Sequence, residues 1–217
     1  LRCLVGSEMC IRDSNRSVRS FSRNLSEKGV IQMRKNFGAQ TWMYPMPVLI
    51  VGTYDENGKP DAMNAAWGGI YETNQIMLCL SASHRTTKNI KEKGSFTVSF
   101  ATAKTVVPSD YVGIVSANNT PDKMEKSGLH AEKSTLVDAP LFQEYPMTLE
   151  CKLVKFNEDG IVVGEIVNVS ADESVLGEDG KIAVEKLEPI AFDSVSHAYH
   201  KLGEKVGNAF SDGNQLK

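Results

Sequence analysis

Apolar and polar positions along residues 33–217 form short runs separated by turn residues. Val48-Leu49-Ile50-Val51-Gly52-Thr53-Tyr54 is a continuous run of strand length. Asp55-Glu56-Asn57-Gly58-Lys59 ends it, and Asn57-Gly58 supplies residues that accept positive φ. Asp61 to Ile70 reads as the return strand. Its small residues (Ala62, Ala65, Ala66, Gly68, Gly69) let another group approach the backbone closely. Gln75 to Ala82 and the alternating Ser95-Phe96-Thr97-Val98-Ser99-Phe100 follow as strands. Later, Met147, Leu149, Cys151 and Leu153 alternate with Thr148, Glu150 and Lys152, which predicts a half-buried strand with its polar set in water. Asn157 to Gly160 turns, Ile161 to Val169 returns, and Pro189 to Asp193 reads as the last strand.

Helical signals are short. Thr86 reads as an N-cap and Gly94 as the closing residue of one helix. Val107-Pro108-Ser109-Asp110 opens a second helix, and Pro121-Asp122 opens a third that ends at Gly128. Thr135 to Tyr145 reads as a loop. Phe37 to Pro47 reads as an aromatic, proline-marked stretch that wraps over a core edge. About seven mostly sequential strands with tight turns predict a mainly β fold, a closed barrel with short helical insertions. No long helix separates the strands and no GxGxxG follows the first one, which argues against a doubly wound dinucleotide-binding sheet.

Composition changes this picture little: 41% apolar and 24% charged residues are ordinary for a globular chain. A net charge of −3 in 217 residues argues against a nucleic-acid partner. No run of about 18 apolar residues is present, so no membrane helix is expected. The first 32 residues differ from the rest. Arg2, Arg12, Arg16, Arg19, Arg23 and Lys28 outnumber Glu8, Asp13 and Glu27 there, and Phe21 is the one aromatic. Cys3-Leu4-Val5-Gly6-Ser7-Glu8-Met9-Cys10-Ile11-Arg12-Asp13-Ser14 resembles a translated sequencing-adapter fragment. The expectation is a non-native or disordered leader over 1–32, a native start at Met33, and one domain over 33–217. Cys79 and Cys151 sit in strand-like patterns without CxxC spacing, which suits buried thiols in a reducing cytoplasm.

The candidate chemistry centres on Ser81-Ala82-Ser83-His84-Arg85-Thr86-Thr87-Lys88-Asn89, between a strand end and a helix start. Hydroxyls, cations and the unpaired N–H groups of a helix N-terminus together make a phosphate cradle. A capped, solvated basic turn has the same composition, and these residues alone leave both readings open. His84 faces the same choice between ligand and surface turn. Trp67 suits either a stacking partner or a core filler. His197 and His200 in H-A-Y-H lack a third ligand candidate nearby, so surface or interface histidines are the default and no metal is expected. Asp193 and Tyr199 are further candidates to reach the pocket from the C-terminal part.

Three stretches, Pro45 to Thr53, Gly58 to Trp67 and Leu80 to Ile90, resemble the flavin reductase-like family, and more narrowly its flavoredoxin type. Asp110-Tyr111-Val112-Gly113, Asp122-Lys123, Ser127-Gly128-Leu129, Val163 to Val167 and Leu202-Gly203-Glu204 fit the same pattern. The resemblance implies an FMN-binding split barrel, a homodimer with FMN near the subunit interface. It implies that Asn64, Ala65, Ala66 and Trp67 line the flavin ring. It also implies that Ser81, Ser83, Arg85, Thr86, Thr87, Lys88 and Asn89 surround the phosphate. The expected activity is electron transfer from NADH or NADPH through FMN to a flavin, metal complex or protein. The alternative is an FMN-binding electron carrier or flavin store without nicotinamide turnover. No protein acid–base residue is strictly needed, because the cofactor carries the chemistry.

Overall fold

The computed structural model describes residues 34–217; the leader expectation and Met33 lie outside the described residues. Seven strands form one antiparallel sheet: β2 Leu49–Tyr54, β3 Pro60–Ala65, β4 Gly68–Glu72, β5 Gln75–Cys79, β6 Ser95–Phe100, β9 Met147–Phe156 and β10 Ile161–Ala171. A small sheet joins β1 Met46–Pro47, β11 Ile190–Asp193 and β12 Ala198–Lys201, and a third pairs β7 Ala131–Lys133 with β8 Pro140–Phe142. Four short helices are inserted: α1 Arg85–Lys93, α2 Val106–Ile114, α3 Lys123–Ser127 and α4 Val184–Leu187.

The large sheet runs in the order β3-β2-β6-β9-β10-β5-β4. Laid flat, six spacings of about 4.8 Å would separate β3 from β4 by roughly 29 Å. Yet only Ala66 and Trp67 lie between them, and three Cα–Cα steps reach about 11 Å at most. The sheet must therefore curl until its two edges approach. The expected single strand from Asp61 to Ile70 is thus two strands, broken where the chain crosses from one edge to the other. Gly68 suits that crossing, since a Cβ there would lie 2.6 Å from Leu78 Cδ2 and 2.9 Å from the Met77 carbonyl oxygen.

Inside the curl, Leu49, Val51, Met63, Leu78, Phe96, Val98, Leu149 and Val162 make one core. Val48, Ile50, Ala62, Val112, Phe142 and Tyr145 belong to a second core. Residues of Val48–Val51 thus enter both cores, which is why the run lacks alternation.

Four further expectations change. Thr148 and Glu150 are buried rather than solvated. The segment read as a loop from Thr135 to Tyr145 contains β8, and the preceding Ser134 hydroxyl donates to Glu150 Oε2. Asn168 Nδ2 donates to Glu150 Oε1 at 2.6 Å, and Thr148 Oγ1 pairs with Ser99 Oγ at 2.8 Å. Pro189–Asp193 is not the last strand, because β12 pairs with β11 through Phe192 and Tyr199. Finally, α1 begins at Arg85 with His84 at its N-cap, two residues before the expected Thr86. Gly94 closes it as expected, with φ 66° and its N–H bonded to the Ile90 carbonyl.

The turn of the β9–β10 hairpin anchors the start of the candidate site. Leu80 N–H donates to the Gly160 carbonyl at 2.8 Å. Gly160 has φ 87°, and a Cβ there would lie 2.2 Å from the Leu80 carbonyl oxygen. Gly160→Ala should therefore lower stability by about 2–4 kcal/mol, combining backbone strain with overpacking. Urea unfolding would show this as a lower midpoint at constant slope; an unchanged midpoint would refute it.

Candidate functional site

Two clefts meet where β3, the turn after β5, α1 and α2 converge. The first, about 370 Å³, is walled largely by apolar groups: Met63, Ala65, Ala66, Trp67, Leu80 and Phe192 among them. The second, about 640 Å³, is more polar and holds Ser83, Arg85, Thr86, Asn118 and Lys123. Met63, His84, Gly113 and Ile114 border both, so the clefts form one path.

The N-terminus of α1 opens onto this path. No side chain caps it, so first-turn N–H groups and their partial positive charge stay available. His84, at the N-cap, has a buried Nδ1 without a hydrogen-bond partner. Burial, and next the Lys123 charge, lower the His84 pKa, while Asp61 opposes them. The ring is therefore neutral at pH 7.

Cations and carboxylates are tied together beside the helix start. Lys123 is almost fully buried; its Nζ lies 3.2 Å from Asp61 Oδ1 and donates to the Ala62 carbonyl at 2.6 Å. Thr86 Oγ1 donates to the other Asp61 oxygen at 2.7 Å. Burial lowers the Lys123 pKa and Asp61 raises it, with burial prevailing. Arg85 reaches Asp55 at 3.2 Å. Burial pushes the Asp55 pKa up, but the N–H groups of Lys59 and Asn57 and the Arg85 guanidinium hold it below the usual range. Arg85 is thus positioned by the β2–β3 turn and lines the cleft.

Asn64, Ala65, Ala66, Trp67 and Ser81 line the apolar cleft. Ser83, Arg85 and Thr86 line the polar one. Three other residues named from the sequence direct their side chains elsewhere. Thr87 Oγ1 donates to the Ser81 carbonyl at 2.8 Å. Asn89 is fully buried and donates to Thr53 Oγ1 at 3.0 Å. Lys88 lies on the outer face of α1, 3.6 Å from Glu92.

Side chains distant in sequence complete the walls. Tyr199 from β12 donates to Asp110 Oδ1 of α2 at 2.7 Å, and Asn64 donates to the Ser109 carbonyl at 3.1 Å. Burial first, and then Asp110, push the Tyr199 pKa up to about 12, so its hydroxyl stays protonated. A Cβ at Gly113 would lie 2.9 Å from Asn64 Cβ, so α2 sits directly on this wall. Asp193 does not line the cleft; it accepts from Tyr44, Ser196 and the Val195 N–H. Sequence reasoning assigned no role to Lys123 or Phe192. The Asp122-Lys123 pair within the family resemblance was the available signal for the first; Phe192 had none beyond its strand.

An apolar slot leading to an uncapped helix start suits a flat ligand with a negatively charged tail. Comparison with known proteins agrees with this geometry. The chain is similar to the flavoredoxin of Desulfovibrio vulgaris (Miyazaki F), with 40% identity, coverage of 83% of this chain and 100% of that one, and a TM-score of 0.80. It is similar to a flavoredoxin from Methanosarcina acetivorans, at 28% identity, 85% and 100% coverage, and a TM-score of 0.76. An FMN-binding domain of a flavin reductases-like enzyme from Shewanella baltica shares the fold at 18% identity, 75% and 88% coverage, and a TM-score of 0.67. The curled sheet is accordingly a split barrel. Residues 41–191 match the flavin reductase like domain, and the chain belongs to that family.

Proposed function

We propose that the protein binds FMN across the two clefts and works as an NAD(P)H-dependent flavin reductase in the cytoplasm, as a homodimer. One observation carries the reading: an uncapped helix start with Arg85 and buried Lys123 adjoins an apolar slot walled by Ala65, Ala66 and Trp67. The donor set matches a phosphate monoester. Arg85 offers a forked contact, Lys123 a point charge, and α1 its N–H groups. The partnerless His84 Nδ1 marks a further polar atom that a ligand can satisfy.

Bound there, FMN would supply the two-electron chemistry that links a nicotinamide to a flavin, metal complex or protein acceptor. The chain's own residues bind and orient it. Ala65 and Ala66 keep one wall low, so backbone N–H groups there would be able to hold the ring's polar edge. Trp67, at the mouth, offers a broad apolar face. Neutral His84 and protonated Tyr199 present hydrogen-bonding atoms without adding charge to the slot.

Arg85→Ala should weaken FMN binding by about 10–100-fold, the worth of one charge-assisted hydrogen bond, while riboflavin, which lacks the phosphate, loses little. Lys88→Ala should cost less, because its ammonium points toward Glu92. Fluorescence quenching titrations with both ligands check this; equal losses for FMN and riboflavin would move the phosphate elsewhere. For turnover, anaerobic NADH or NADPH should bleach the flavin absorbance of the reconstituted protein. A yellow protein that neither donor bleaches would be a carrier or flavin store instead.

A further inference from the structure

The apolar slot and the more polar cleft beside it differ in charge. Around the polar cleft, cations and carboxylates meet in pairs: Arg85 with Asp55, and Lys123 with Asp61. Among the residues that line the slot, Asp110 alone carries a formal charge, because His84 is neutral. Asp110 is half-buried. Tyr199 donates to its Oδ1 at 2.7 Å. Among the described residues no Lys, Arg or His pairs with Asp110, and its Oδ2 takes no hydrogen bond. A carboxylate drawn into apolar surroundings without a cation is costly. A ligand that brings positive charge relieves that cost.

Aromatic rings stand on the same wall. Phe192 and Tyr199 are register partners on β11 and β12, and their ring centroids lie 5.9 Å apart at 51°. Both line the slot, with Trp67 at its mouth. The face of an aromatic ring is electron-rich and attracts cations. The wall is also fixed. Its α2 side lies against Asn64 through Gly113, and its β12 side is paired to β11. A carboxylate with a free oxygen between aromatic rings is the chemistry that recognises a flat organic cation.

We infer that this wall receives a planar heteroaromatic cation alkylated on its ring nitrogen, and that Asp110 selects the charge. The inference rests on the FMN reading for one point: it leaves the flavin ring on the opposite wall, from Asn64 to Trp67. Two sources share this chemistry. One is the nicotinamide ring of the proposed donor, which is a cation once it has given up hydride. The other is a cationic electron acceptor. Tyr199 is a positioning residue here, since its hydroxyl holds one carboxylate oxygen and leaves the other to the ligand. Anionic second ligands are disfavoured by the same charge.

The test is calorimetry on the FMN-loaded full chain at low ionic strength, with three probes of nearly one shape. These are nicotinamide methylated on the ring nitrogen (a cation), nicotinamide itself (neutral) and nicotinate (an anion). The cation should bind about tenfold more tightly than nicotinamide, the worth of one charge-assisted contact, and nicotinate should bind most weakly. Asp110→Asn keeps the shape and still accepts from Tyr199. It should abolish the preference for the cation and leave nicotinamide unchanged. A merely structural role would lower both alike. Phe192→Leu should cost the cation about threefold more than nicotinamide, by loss of one ring face. A wild-type chain that binds the neutral or anionic probe as tightly as the cation, or does not bind the cation, overturns the inference. So does an Asp110→Asn protein with its preference intact. Methylquinolinium, which lacks the carboxamide, separates the sources: weaker binding than the nicotinamide cation assigns the wall to the donor, tighter binding to a cationic acceptor. If FMN does not bind, the FMN reading fails, while the cation-to-neutral ratio measured on the apo chain still decides Asp110.

Discussion

The two residues Ala66 and Trp67 must carry the chain from one edge of a seven-stranded sheet to the other. That reach forces the sheet to curl. Curling buries an interior lined by Leu49, Leu78, Phe96 and Val98. It also places the crossing itself on the rim, where Ala65, Ala66 and Trp67 become the wall of a cleft. The closure of the barrel and the formation of the apolar slot are therefore one event. Gly68 and Gly160 are the close approaches that let it happen, one against β5 and one against Leu80.

The charge chemistry depends on that closure. Asp61, on β3, holds both Thr86 of α1 and Lys123 of α3. Removing two charges from water is costly, and such a pair adds little net stability over apolar replacements. Its value is positional: it keeps a cation beside the helix start, where removal of one partner would strand the other. Arg85 is held in a softer way, by a partly exposed pair with Asp55 that solvent screens. The site thus has one rigid cation and one adaptable cation at the same helix terminus.

Local pattern made several elements legible. The run Val48 to Tyr54, the strand Ser95–Phe100, the hairpin turn Asn157 to Gly160 and the glycine stop at Gly94 all rest on neighbours within a few residues. Elements that rest on distant contacts were misread. Thr148 and Glu150 looked solvated, because nothing in their own strand announces that Ser134 and Asn168 supply their partners. Thr86 looked like a cap, because a hydroxyl before a helix usually serves its own backbone; here Asp61 takes it.

Sequence by itself determined the strand-rich architecture, the turn chemistry and the location of a hydroxyl- and cation-rich helix start. These depend on side-chain period and on backbone freedom at glycine and asparagine, which act locally. It also carried the family resemblance through the order of its motifs. Tertiary structure alone decided which of those side chains meet. It turned Thr87 and Asn89 inward and Lys88 outward, and it brought Lys123, Asp110, Phe192 and Tyr199 to the cleft from elements far along the chain. The physical reason is that rotation of a nine-residue helix about its axis, and the depth at which a lysine is buried, are set by what packs against them.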